Sequence, residues 1–258
     1  MNGLALQTYE MARRSVLQTM RQPAMIIPPI LFPLILMGIN VSGLDAATMI
    51  PGFPTDSYLD FAIAFPFVQG SLFASINAGT SLARDVETGF IKRLALTPMQ
   101  RSALLIGNLA GVTVVALIAA LIYLAVGFAA GLHVEAGAGG VLVMLVLALL
   151  IALAFASIGA FVGLRTGSGE AVQGVFPLFF VFLFLSSSSL PRDLIEQDWF
   201  RTIATYNPVS YLFEGLRAPI LFGWDGEALG LGFGIAIAIG VLAIIGASRA
   251  LRTRVVHG

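Results

Sequence analysis

An all-α membrane protein is the fold class this 258-residue sequence predicts, and three observations predict it. Its residues are 58% hydrophobic and only 11% charged, whereas soluble domains are roughly a quarter charged. The apolar residues gather into six long runs, at 24–44, 59–83, 102–131, 140–164, 174–190 and 228–248. The runs are continuous rather than alternating, which fits helices and excludes a transmembrane barrel. About 20 apolar residues cover a hydrocarbon core of about 30 Å, and in lipid only helices or closed barrels satisfy every backbone polar group. Six spans are therefore expected.

Residues 1–23 precede the first run and are amphipathic. Leu6, Tyr9, Val16, Leu17 and Met20 share one helical face, while Gln7, Glu10, Arg14, Gln18 and Arg21 share the other. Such a helix is expected to lie in the membrane interface and to stop at Pro23; the alternative is the plain cytosolic flank of a signal anchor. The first span carries Pro28, Pro29 and Pro33, so it is expected to kink or begin late. It reads as a span rather than a removable leader, having no small-residue cleavage site behind it. Residues 45–57, with Pro51, Gly52 and Pro54, form a turn region. The second span carries Gln69, Ser71, Ser75, Asn77, Thr80 and Ser81. At membrane depth these polar groups either bond neighbouring helices or face a cavity.

A charged island follows at 84–101, the most polar stretch between two apolar runs. Spans three and four enclose a short turn at 133–137. The pairs Gly107/Gly111, Gly127/Gly131 and Gly159/Gly163 have the spacing that permits close helix contact. A short glycine-bearing loop occupies 165–174, and the fifth span ends in Ser186, Ser187, Ser188 and Ser189 before Pro191. Segment 191–227 is too polar to span and too apolar for a free loop. Short re-entrant helices, shielded by protein, reconcile the two. The last span, 228–248, leads into a basic tail.

Basic residues set the orientation. Eleven of the fourteen lie before span one, in the island, in the 165–174 loop or in the tail, which makes that side cytoplasmic, both termini included. Zero net charge gives no general attraction for nucleic acid, and zero cysteine excludes disulfides and a thiol nucleophile. A phosphate-binding loop of the Gly-x-x-x-x-Gly-Lys type is absent, because Lys92 is the only lysine and it follows Ile91. His133 and His257, the only histidines, fall on opposite sides of the membrane and cannot share a metal. No span carries a carboxylate or histidine near its centre, which disfavours an autonomous ion-coupled pump. Energy is expected from another chain.

The island reads Arg84-Asp85-Val86-Glu87-Thr88-Gly89-Phe90, then Lys92, Arg93, Thr97-Pro98 and Arg101. It resembles the segment after the second span of ABC-2 type permeases, the membrane subunits of bacterial ATP-binding cassette exporters, with an acidic–x–Glu–x–Gly pattern, a Thr-Pro turn and a basic residue. Asn207-Pro208 followed by Arg217 resembles the family's second landmark, and the similarity is to the daunorubicin-resistance group. The resemblance implies that Arg84, Asp85, Glu87, Thr88, Gly89, Lys92, Arg93, Thr97, Pro98 and Arg101 form a coupling element seated in a separate ATPase; the alternative is a loop that only fixes topology. It implies an external gate at Asn207, Pro208, Glu214 and Arg217. The alternative there is a simple turn, with Arg217 reaching headgroups or pairing with Glu214. It implies a path between two permease copies, with Ser71, Asn77, Ser186, Ser187, Ser188 and Ser189 as polar liners. Phe179, Phe180, Phe182 and Phe184 either line that path or pack. The implied assembly has two ATP-binding subunits carrying Mg-ATP and a second permease copy, identical or not, in the bacterial inner membrane. This chain itself would bear no cofactor and would export a drug, a lipid or a lipid-linked glycan. A secondary transporter or channel, and a scaffold without cargo, are the rival readings.

Overall fold

The computed structural model describes residues 3–95 and 101–256, and every regular element among them is helical. In chain order these are α1 (Gly3–Met20), α2 (Pro23–Leu44), α3 (Tyr58–Ala62), α4 (Ala64–Glu87), α5 (Phe90–Ala95), α6 (Arg101–Ala129), α7 (Gly137–Thr166), α8 (Gly169–Gly174), α9 (Phe176–Phe184), α10 (Asp198–Tyr206), α11 (Pro208–Leu221) and α12 (Gly226–Val256), with 3-10 turns at Asp45–Met49 and Arg192–Leu194. Five stretches are long and apolar enough to cross a membrane: Ile26–Met49, Tyr58–Glu87, Ser102–Ala129, Gly137–Thr166 and Gly226–Arg254. The protein is an all-α membrane protein.

The run at 174–190 departs from a single continuous helix. Helix here begins before the run and covers Gly169–Phe184 as α8 and α9, about 24 Å of rise at 1.5 Å per residue. Helix ends at Phe184 because side chains take over the last carbonyls. Asn207 Nδ2 donates to the carbonyls of Phe182 at 2.6 Å and Leu185 at 2.9 Å, and Ser186 Oγ donates to Leu183. Residues 185–191 then turn. The first span does not begin late: α2 starts at Pro23 and is helical through Pro28, Pro29 and Pro33.

Helix α4 is the most buried span and lies against α7 at backbone contact. A Cβ on Gly159 would lie 1.8 Å from the Ser75 carbonyl oxygen, and one on Gly163 would lie 2.2 Å from that of Gly79. Only glycine permits that approach, and close approach is the main source of helix attraction where lipid competes for apolar surface. Gly107 and Gly111 meet Met11 and Ser15 of α1 in the same manner. Two apolar clusters result. One, around Phe61, Phe65, Leu147 and Phe213, fills the end holding α3 and α11; the other, around Leu82, Ile91, Leu105 and Leu251, fills the end holding the island.

Candidate functional site

At the island end, α4 closes with Thr88, and Gly89 turns the chain at φ +67°, a left-handed conformation natural to glycine. The turn starts α5. Ile91 faces inward and is buried, whereas Lys92 and Arg93 are exposed, as are Arg84, Glu87 and Thr88. Asp85 behaves differently. It is 7% exposed and turns inward to a two-pronged ion pair with Arg14 of α1, at 2.9 and 3.3 Å. Arg14 also stacks over the Phe90 ring at 4.2 Å. Asp85 therefore ties the island to the N-terminal helix. Glu87 accepts from the Gly169 backbone N–H at 3.4 Å, reaching the second loop of this end. Arg254 of α12 donates to the carbonyls of Leu164 and Arg165 at 3.0 and 2.9 Å, closing α7. Thr97 and Pro98 lie outside the described residues. Arg101 opens α6, which places its backbone only.

At the far end, Asn207, Pro208, Glu214, Arg217, Ser186 and Ser187 belong to one polar knot, although the sequence divided them between a gate and a path. Asn207 Oδ1 caps α11 by accepting from Val209 N–H at 3.0 Å, and Pro208 fills the first helical position, where its missing N–H costs nothing. Arg217 is 3% exposed. It donates to the carbonyl of Phe61 at 2.8 Å and to those of Ser187 and Ser188. Its guanidinium lies 3.5 Å over the Phe61 ring and 5.1 Å from that of Phe213. Arg217 thus reaches neither a headgroup nor Glu214. Glu214 pairs instead with Arg192 at 2.7 Å and accepts from Ser187 Oγ at 3.2 Å. Burial pushes the Glu214 carboxyl above the ordinary range, while Arg192 and the Ser187 hydroxyl act against that shift. Tyr58 donates to Ser189 O at 2.9 Å, and the Ser187 N–H donates to Ser210 Oγ at 3.1 Å. Burying so many polar groups is tolerable only because each finds a partner.

The knot borders a cavity of about 440 Å³ walled by Phe61, Ser187, Arg192, Glu214, Arg217 and Asp225, among others. Exposed Trp199, Tyr206 and Trp224 surround this end, as aromatic side chains do at membrane–water interfaces. Ser186 and Ser187 are 2% and 0% exposed; both hold the knot, and Ser187 also walls this cavity. Ser71 and Asn77 lie elsewhere. Both line a narrow crevice of about 50 Å³ between α1, α2, α4, α6 and α7, together with Gln18, Asn108 and Tyr123. Phe179 packs on Phe155 and Phe180 on Phe176; Phe182 and Phe184 are exposed, although Phe184 also meets the Phe180 ring.

Sequence reasoning missed Arg14, Tyr58, Arg192 and Ser210 as members of these sites. Tyr58 gave a signal, being a phenol at the edge of an apolar run, where its hydroxyl needs an acceptor. Arg14 gave none beyond its charge.

Residues 6–221 match the family described as ABC-2 type transporter. The chain is 24% identical over 200 residues to the daunorubicin resistance ABC transporter permease protein DrrB1 of Streptomyces coeruleorubidus, covering 74% of this chain and 66% of that protein. It is 26% identical over 210 residues to a putative transport permease, ycf38, of Porphyra purpurea, covering 80% of this chain and 71% of that one. A ycf38 protein of Pyropia yezoensis is 24% identical over 256 residues, covering 93% and 87%.

Proposed function

This chain belongs to the ABC-2 type transporter family, and we propose that it is the membrane-embedded permease of an ATP-driven exporter that moves a hydrophobic or amphipathic cargo out of the cytoplasm. A drug, a lipid or a lipid-linked glycan fits that description, and the similarity to a daunorubicin resistance permease supports the first. Two ATP-binding subunits carry Mg-ATP, a second permease copy completes the path, and the six-span chain sits in the inner membrane with both termini cytosolic.

The observation that carries this reading is the island's build. Arg84, Lys92 and Arg93 give it an outward basic surface, while Asp85 and Ile91 turn inward to α1 and the apolar core and exposed Glu87 reaches the 169 backbone. A surface fastened in this way passes a push from a docked partner into the spans rather than deflecting. Helix α4 carries the island at one end, and its other end starts beside Phe61, whose carbonyl Arg217 holds. The lever does work only if it favours one arrangement of the spans over another.

Reconstitution tests it. Vesicles holding this chain with its ATP-binding subunit are expected to move cargo only when ATP is supplied on the subunit's side. Vigorous transport without that subunit, or transport that collapses with the proton gradient alone, decides for a secondary transporter.

A further inference from the structure

Helix α2 passes through Pro33, which has no N–H, so the carbonyl of Pro29 one turn earlier lacks its helical donor. A side chain from another span supplies it: the hydroxyl of Tyr123, in α6, donates to Pro29 O. Tyr123 is 1% exposed, and its ring stands edge-on to Phe67 at 5.4 Å. Gly70 of α4 leaves space for the hydroxyl, since a Cβ there would lie 2.8 Å from it. Phe32 on Phe73 and buried Met37 also pack α2 on the bundle, while Ile27, Leu31, Ile35 and Ile39 on its other side are exposed. Beside the bond lies the narrow crevice, walled by Pro29, Gly70 and Tyr123 and also by Asn108. Asn108 is 6% exposed and its Oδ1 has no partner among the described residues. A void of about 50 Å³ next to a bare acceptor is roomy enough for water.

We propose that Tyr123 is the positioning residue that holds α2 against the bundle at its proline gap, and that release of this bond lets α2 move away and opens the crevice. One neutral hydrogen bond suits the task. In a dry site it holds the helix, and water entering the crevice can replace it at both ends. The role of this motion in transport rests on the permease reading; the latch itself does not.

The chain has no cysteine, so Ala74→Cys, in the crevice wall and 7% exposed in the native protein, gives a single reporter. Its rate of reaction with N-ethylmaleimide is read in vesicles without any ATPase. Tyr123→Phe is expected to raise that rate about fivefold, the scale of one hydrogen bond. Gly70→Ala, which keeps the hydroxyl but crowds it, is expected to do the same. Tyr123→Phe/Gly70→Ala is expected to label no faster than Tyr123→Phe, because both changes act through the one bond. Unchanged labelling in both single variants, or additive rises in the double variant, overturns the latch. If Tyr123→Phe does not accumulate in the membrane, Gly70→Ala carries the test by the same readout. ATP-driven transport by the parent is measured separately. Its absence removes the permease reading alone, and flat labelling in an actively transporting parent removes the latch alone.

Discussion

Arg217 shows how a buried cation is held when no carboxylate among the described residues bonds to it directly. Its planar fork reaches three main-chain oxygens, and its face rests on Phe61, a geometry that lysine's single ammonium cannot copy. Burial lowers its pKa to about 9, which still leaves it a cation at neutral pH. Arg217→Met removes the fork and leaves buried acceptors, each worth about 1–3 kcal/mol. A loss of about 3 kcal/mol or more is expected, read as a lower melting temperature of the purified protein, with Arg217→Lys between the two. Arg14 and Asp85 make a second testable pair. Arg14 is partly exposed, so a double-mutant cycle with alanine is expected to give a coupling of only about 1 kcal/mol. The singles are nonetheless expected to weaken ATPase attachment alike, since either one frees the island from α1. Of these residues the sequence exposed Arg217 and Asp85 as unusual but assigned them outward roles. Each instead turned to a partner far along the chain.

At the scale of elements, long apolar runs are legible because lipid solvation sums over neighbours in sequence. The spans at α2, α6, α7 and α12 follow from that alone. The fifth run is different. Its helix stops at Phe184 because an amide at position 207 claims two of its carbonyls, and hydropathy carries no trace of that. Asn207→Ala is expected to destabilise by about 1–2 kcal/mol, since it deletes the cap of α11 as well. Denaturation followed by tryptophan fluorescence would show it, because Trp199 sits on the adjoining α10. The α4–α7 contact gives a sharper outcome. The Gly159/Gly163 spacing announced close packing without naming a partner, and the partner proves to be Ser75 and Gly79. Gly159→Val is expected to prevent accumulation of folded protein, because backbone stands where its Cβ must go. Gly234→Val, where a Cβ meets nothing within 4 Å, is expected to be tolerated in the same expression assay.

For the whole molecule, the predictions concern what sits on which side and what docks there. Cysteines at Ser57 and Gln197 are expected to react with an impermeant reagent from outside, and one at Gln100 only after permeabilisation. Labelling of Gln100 in intact cells would reverse the proposed orientation. Reversing Lys92 and Arg93 to glutamate is expected to lower affinity for the ATP-binding subunit about tenfold at low salt, and by less at high salt, as for exposed interfacial charge. Equal co-purification at both salt concentrations would place the docking surface elsewhere.

The sequence by itself determined the class of protein, the number of apolar runs and the island that breaks them, because partition between lipid and water is settled by local composition. It also carried the family pattern. The tertiary structure alone decided that Asp85 faces α1, that the serine run and the Asn207–Arg217 segment form one knot, and that Tyr123 meets α2. The reason is chemical. Arg217, Asn207, Tyr123 and Arg254 all donate to main-chain oxygens, and every residue carries one of those. Which oxygen lies within reach depends on how the helices pack, and no letter of the sequence marks it.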